Sequence, residues 1–247
     1  MTTRAEFFAR VRAEMARARA VPAATPAPRP EYPERRVEAL RRELAERWPE
    51  TCERFRQEFE RVGGVFHRVA TVAEAPEAIA ALARAREARR VVTWHPSALG
   101  ADLPTALAAR GLETTAMPPG EVTDPEAARR LRATIAAADL GVTGADLAVA
   151  ETGSLVLLSG AGRPRSTSLL PPCHVAVFDA TALVESLAQL GLYLEAWHGT
   201  ARPRWGGAMI NVITGPSRTA DIELTLTRGV HGPREVHAVF VDTPFRG

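Results

Sequence analysis

Lysine is absent: all 31 basic residues of this 247-residue chain are arginine, set against 29 acidic residues for a formal net charge of +2. With alanine abundant throughout, this reads as a compositional bias of the genome, and arginine count alone carries no function. Acidic residues interleave with the arginines, so no long basic stripe marks a nucleic-acid face. Cysteine is equally scarce. Cys52 and Cys173 lie far apart, and neither a CxxC zinc site nor the four thiolates of an iron–sulfur cluster can come from this chain alone; no metal site is expected. No run of about 18 apolar residues occurs, which argues against a membrane span. The N-terminus lacks a signal-type apolar core, so the expected location is cytoplasmic. Without lysine there is no P-loop, and no G-x-G-x-x-G or G-x-S-x-G stands in for one.

What is present reads as one α/β domain with an N-terminal extension. Thr2 to Ala20 spaces Phe7, Phe8, Val11 and Met15 as an amphipathic helix. Prolines at 22, 26, 28, 30 and 33 make residues 21–33 an extended linker. A second helix is expected from Glu34 to Arg61, interrupted by Pro49. Residues 1–62 thus form a helical arm that can pack on its own body or on another subunit, and residues 63–247 form the α/β domain. From Gly63 short β-type runs alternate with helical runs: Val65 to Val69, Pro76 to Ala88, Val91 to Trp94, Leu103 to Arg110, Leu112 to Met117, Pro125 to Ala138. That order predicts a mainly parallel sheet covered on both faces, with sites at the carboxyl ends of its strands. His95 follows one such strand, although a histidine before Pro96 also suits a turn.

The chain centres on Gly144 to Leu158, two apolar arms that meet at Glu151. A carboxylate there either accepts from the N–H groups of Thr152 and Gly153 to fix the turn, or serves binding or chemistry as a base or nucleophile. Ser154 reads as a hydrogen-bonding turn residue. The loop Ser159 to Pro172 brings Arg163 and Arg165 close to Ser166 and Ser168, donors suited to a carboxylate or phosphate. A strand Cys173 to Phe178 follows, with His174 a core histidine, then a helix Thr181 to Leu190. After a strand Met209 to Thr214, Gly215-Pro216 turns the chain, and Ser217 or Thr219 can cap a short helix from Ala220. Its free N–H groups with Arg218, beside Asp221, would form an anion site. The alternation Ile222, Leu224, Leu226 permits a strand instead. His231 lies between turn glycines, exposed enough to titrate near neutral pH or simply a turn residue.

The run Ala150-Glu151-Thr152-Gly153-Ser154-Leu155-Val156-Leu157, the loop Gly162-Arg163 through Ser166, Leu169-Leu170-Pro171 and His174, and Gly215-Pro216-Ser217-Arg218-Thr219-Ala220-Asp221-Ile222-Glu223 with Gly229-Val230-His231-Gly232-Pro233 resemble the LUD domain of the lactate utilization protein C family. The resemblance runs from about Gly63 to the C-terminus. It implies a three-layer α/β/α fold similar to the glucosamine-6-phosphate deaminase, ribose-5-phosphate isomerase and CoA-transferase group. It also implies work beside two iron–sulfur partner proteins in oxidation of L-lactate to pyruvate. On that footing the chain is expected to be a non-redox subunit that carries no cofactor of its own. It would bind a small carboxylate, or a partner, at a surface of Glu151, Arg163, Arg218 and His231. A stand-alone CoA-transferase or sugar-phosphate isomerase using Glu151 is the alternative by analogy of fold.

Overall fold

Alanine- and arginine-rich segments with apolar positions three or four apart alternate with short β-branched runs, and in the computed structural model each becomes the element its period dictates. Residues 3–18, 30–198, 209–219 and 227–245 are described. Helix α1, Arg4–Ala18, belongs to a unit of its own, Met1–Glu31. Its start is a capping box: the Thr3 N–H donates to Glu6 Oε2 at 2.7 Å and the Glu6 N–H to Thr3 Oγ1 at 3.3 Å.

The second unit is Tyr32–Gly247. It opens with α2, Pro33–Arg61, and continues with β1 Val65–Val69, α3 Ala75–Ala85, β2 Arg90–Thr93, α4 Pro96–Leu99, α5 Leu103–Ala108, β3 Glu113–Ala116, α6 Pro125–Ala136 and β4 Leu140–Gly144. There follow β5 Leu147–Val149, β6 Ser154–Leu158, α7 Ser166–Leu169, β7 Cys173–Asp179, β8 Leu183–Val184, α8 Leu187–His198, β9 Ile210–Ile213, β10 Arg218–Thr219, β11 Thr227–Arg228 and β12 Glu235–Val241.

Six strands form a wholly parallel sheet in the order β1-β12-β7-β4-β2-β3. Its central strands β4 and β7 are buried along their full length, as strands covered on both faces must be. Helix α2 lies on one face, where Phe55 meets Phe66 and Phe178 edge-on and Trp48 packs on Phe240; α3 lies on the other, its following residue Arg86 reaching Glu235 and His237. The α/β/α expectation holds. A second, four-stranded sheet, β8-β5-β6-β9, mixes parallel and antiparallel pairs. The Glu151 stretch belongs to this one, as an antiparallel turn between β5 and β6.

Several expectations are corrected. Of the two courses open to the arm, residues 33–61 take the first and pack on the body, with Phe55 and Phe59 wholly buried. Helix α2 also runs through Pro49 without a break. Proline forfeits one N–H bond, but burial of Leu44, Cys52, Phe55 and Phe59 on one stripe outweighs that loss. Strand β4 was hidden by its glycines. The expected helix Thr181 to Leu190 is a 3-10 turn at Ala180–Ala182, then β8, then α8. Thr219 pairs with Thr227 in a two-stranded ribbon, and the helix expected from Ala220, like Asp221, falls outside the described residues.

Candidate functional site

In the parallel sheet, β2 is linked onward to β3 on one side, whereas β4, its other neighbour, leads on to β7 in the opposite direction. Such a reversal opens a crevice beyond the carboxyl ends of the two strands. A cavity of about 880 Å³ lies there, within the size range of small-molecule sites. Ser97, Ala98 and Gly100 after β2, Ala145 and Asp146 after β4, Ala180 to Leu183 after β7 and Asp242 after β12 line it. Arg41, Leu44, Ala45 and Trp48 of α2 and Tyr193 of α8 complete the wall.

Arg163 anchors one side. The Gly162 carbonyl accepts from the His95 N–H at 2.9 Å, which seats the loop on the end of β2. Gly162 has φ 72°, and a Cβ there would stand 2.9 Å from the His95 Cβ, so the seat requires glycine. The Arg163 guanidinium then lies 4.7 Å above the Trp94 ring and donates to the Asp146 carboxylate. Asp146 Oδ2 also accepts from the Leu158 N–H at 2.7 Å. Both side chains of the pair are about nine-tenths buried. Arg163 is therefore a committed structural cation in the cavity wall. Also in the wall, Arg41 lies over the Tyr193 ring at 5.5 Å and its Nε donates to the Tyr193 hydroxyl at 3.3 Å. Among the described residues no carboxylate pairs with Arg41.

The sequence-derived site residues fall into separate places. Glu151 is exposed, and its Oε2 accepts not from Thr152 or Gly153 but from the Leu187 N–H at 2.8 Å, at the start of α8. Its stretch is apolar, yet the turn points the carboxylate outward, so no buried charge needs explaining. Thr152, Ser154 and Thr214 form a hydroxyl chain with steps of 2.8 and 2.7 Å. Gly153, at φ 60°, lets that turn approach α2 so closely that a Cβ would meet the Phe59 nitrogen at 2.3 Å. Arg218 is exposed and donates to the Val62 carbonyl. Ser217 bonds through its backbone to Pro233 and Gly229, beside the amino ends of β7 and β12. His231 is exposed nearby. Arg165 lies by Met209 on a second cavity of about 420 Å³, and Ser166 opens α7.

Arg163 thus sits at the carboxyl end of the sheet while Arg218, Ser217 and His231 sit at the amino end, and the expected common surface is not formed. His95 caps α4, its Nδ1 2.7 Å from Ser97 Oγ. His174 is the expected core histidine: burial holds it neutral, down to about 3, with Nε2 2.8 Å from Thr143 Oγ1. Sequence reasoning missed Arg41, Tyr193, Trp94 and Asp146. For the last two a signal existed, since each directly follows or nearly follows a strand that ends at the sheet's carboxyl edge.

The profile of the LUD domain matches residues 52–241. The chain belongs to the LUD domain family. This LUD domain is 44% identical over 115 residues to a lactate utilization protein C of Halalkalibacterium halodurans, across 46% of the chain and 48% of that protein. It is 40% identical over 117 residues to one of Exiguobacterium sp., across 47% and 49%. The chain spans about half the length of the curated relatives it matches. A crystal structure of a DUF162 family protein from Deinococcus radiodurans superposes with a TM-score of 0.54 at 22% identity, covering 78% of this LUD domain chain and 98% of that one; that likeness concerns the fold. No described helix is long and apolar enough to cross a membrane.

Proposed function

We propose that this chain is a non-redox component of a lactate-utilization system, acting in the cytoplasm with two iron–sulfur partner proteins, and that it takes a small organic carboxylate or phosphate in the cavity between β2 and β4. One observation carries the reading: Arg41, a planar fork of donors suited to an oxyanion, lines that cavity with no carboxylate of its own among the described residues. Arg163 contributes by positioning, since its charge is balanced by Asp146 and it holds the wall in place. The relatives' name, lactate utilization protein C, supports the system. Two cysteines, both buried, support placing electron transfer on clusters of the partners, because a four-iron or two-iron cluster takes four such ligands. The stand-alone enzyme reading is weaker, for Glu151 does not line the cavity.

The test is thermal unfolding against lactate, pyruvate, larger organic acids, sugar phosphates and CoA thioesters, with Arg41→Ala alongside. A ligand at about 100 times its dissociation constant adds roughly 2.7 kcal/mol, a shift of roughly 5 to 10 °C for a chain this long. The expected result is a shift with an organic acid that disappears in Arg41→Ala. A shift that survives the substitution removes the cavity from the argument. Full-rate lactate oxidation by the two partners without this chain removes its place in the system.

A further inference from the structure

Parallel pairing of β7 with β12 sets Cys173 beside Glu235, and the two-residue strand period puts His237 on the same face. Cys173 lies 62 residues before Glu235 and 64 before His237, and the three share no spacing motif. Their ligand atoms, a sulfur, a carboxylate oxygen and an imidazole nitrogen, all lie within 4.8 Å of one another. Cys173 and His237 are buried at 5% and 1% exposure, and Glu235 closes the solvent side. From the neighbouring strand His67 stacks on His237 and brings its Nε2 to 3.0 Å from His237 Nδ1. Nothing in the cavity site uses these groups. They stand at the amino ends of the strands, six residues or roughly 20 Å from the cavity.

We propose that Cys173, His237 Nε2 and Glu235 bind a divalent ion of the zinc class, with His67 orienting the histidine ligand and a water in the fourth position. A tetrahedral shell with bonds of about 2.0 to 2.3 Å sets its ligand atoms roughly 3.3 to 3.8 Å apart. His237 Nε2 and Glu235 Oε2 are already 3.1 Å apart, so a shift of about 1 Å in the remaining separations completes it. Coordination through Nε2 leaves the Nδ1–H of His237 to donate to His67 Nε2, the outer-shell bond that fixes a metal-bound imidazole. The Cys173 thiol gives its proton to solvent as the ion binds, and one proton is released per ion. Arg86 donates to Glu235 through Nε at 2.8 Å and also through Nη2. A dication joined to a thiolate and a carboxylate is neutral, so the guanidinium faces no net positive charge. Both bonds go to Oε2, and Nη2 lies 3.3 Å from His237 Nε2, so ion binding shifts Arg86 to the second carboxylate oxygen, a movement its exposed position at the rim allows. The ion is redox-inert, clamps β7 and β12 at their amino ends, and does not depend on the ligand proposed for the cavity.

The experiment is titration of Co²⁺, the spectroscopic stand-in for Zn²⁺, into the tag-free full chain. The expected result is a near-ultraviolet thiolate-to-cobalt charge-transfer band that saturates at one ion per chain and is bleached by Zn²⁺. Cys173→Ser loses the band, Cys52→Ser keeps it, and His67→Gln weakens binding by about tenfold or more. Should Cys173→Ser fail to fold, Glu235→Gln on the rim is expected to weaken binding by more than tenfold. No band in the wild-type chain, a band that follows Cys52, or affinity unchanged in Glu235→Gln overturns the assignment.

Discussion

Two carboxylates decide local stability, for opposite reasons of exposure. Asp146 faces a guanidinium that is buried with it, so Asp146→Ala strands Arg163 in the buried cavity wall over Trp94. Breaking such a pair from one side costs about 3–5 kcal/mol; urea denaturation of the variant is expected to show that loss, and Asp146→Ala with Arg163→Leu to recover part of it. Asp139 is half-buried between α6 and β4. Burial by itself raises its carboxyl, but the N–H groups of Arg90 and Arg89, at 2.8 and 2.9 Å, with the Arg90 side chain, together hold it below the ordinary aspartate value. A carboxyl whose folded value is depressed contributes stability that is complete above about pH 4 and is lost as pH falls through the lower folded value. Stability measured between pH 5 and pH 2 is therefore expected to fall less steeply in Asp139→Asn than in the wild type, and an identical slope would refute the linkage.

Helix α2 is the element on which both sheets depend. Its Phe55 and Phe59 stack at 5.3 Å and are fully buried against the parallel sheet. Its Val37 and Leu44 pack with Leu147, Val149, Val156 and Tyr193 of the second layer. Phe59→Ala is expected to cost about 3–5 kcal/mol in chemical denaturation, and to loosen the Thr152 to Ser154 turn as well, because Gly153 rests on the Phe59 backbone. The apolar stripe of this helix was legible from its spacing alone. Continuity through Pro49 was not, since the penalty of a proline is local while the burial that overrides it comes from residues far along the chain. The same cause misplaced α8: Thr181 to Leu190 has the composition of a helix, but its first residues are pulled into β8 by pairing with Ala148 and Val149.

At the scale of the molecule, the unit Tyr32–Gly247 holds the sheets and their core. Removal of residues 1–31 is expected to leave its melting temperature within about 2 °C, the shift that ~1 kcal/mol produces at this length; a loss of more than 5 °C would show that the first helix is part of the folded core. The alternation of strand and helix, the buried histidine at 174 and the family were all readable along the chain. Each depends on periodicity or on consecutive motifs, which survive in one dimension. Strand neighbours do not. The insertion of β12 between β1 and β7, the second sheet, and the pairing of Arg41 with Tyr193 across 152 residues arise from long-range pairing, whose partners no local preference names. That is why Arg163 proved to be the partner of Asp146 instead of a free anion receptor. It is also why Cys173, Glu235 and His237 became neighbours without a motif to announce them.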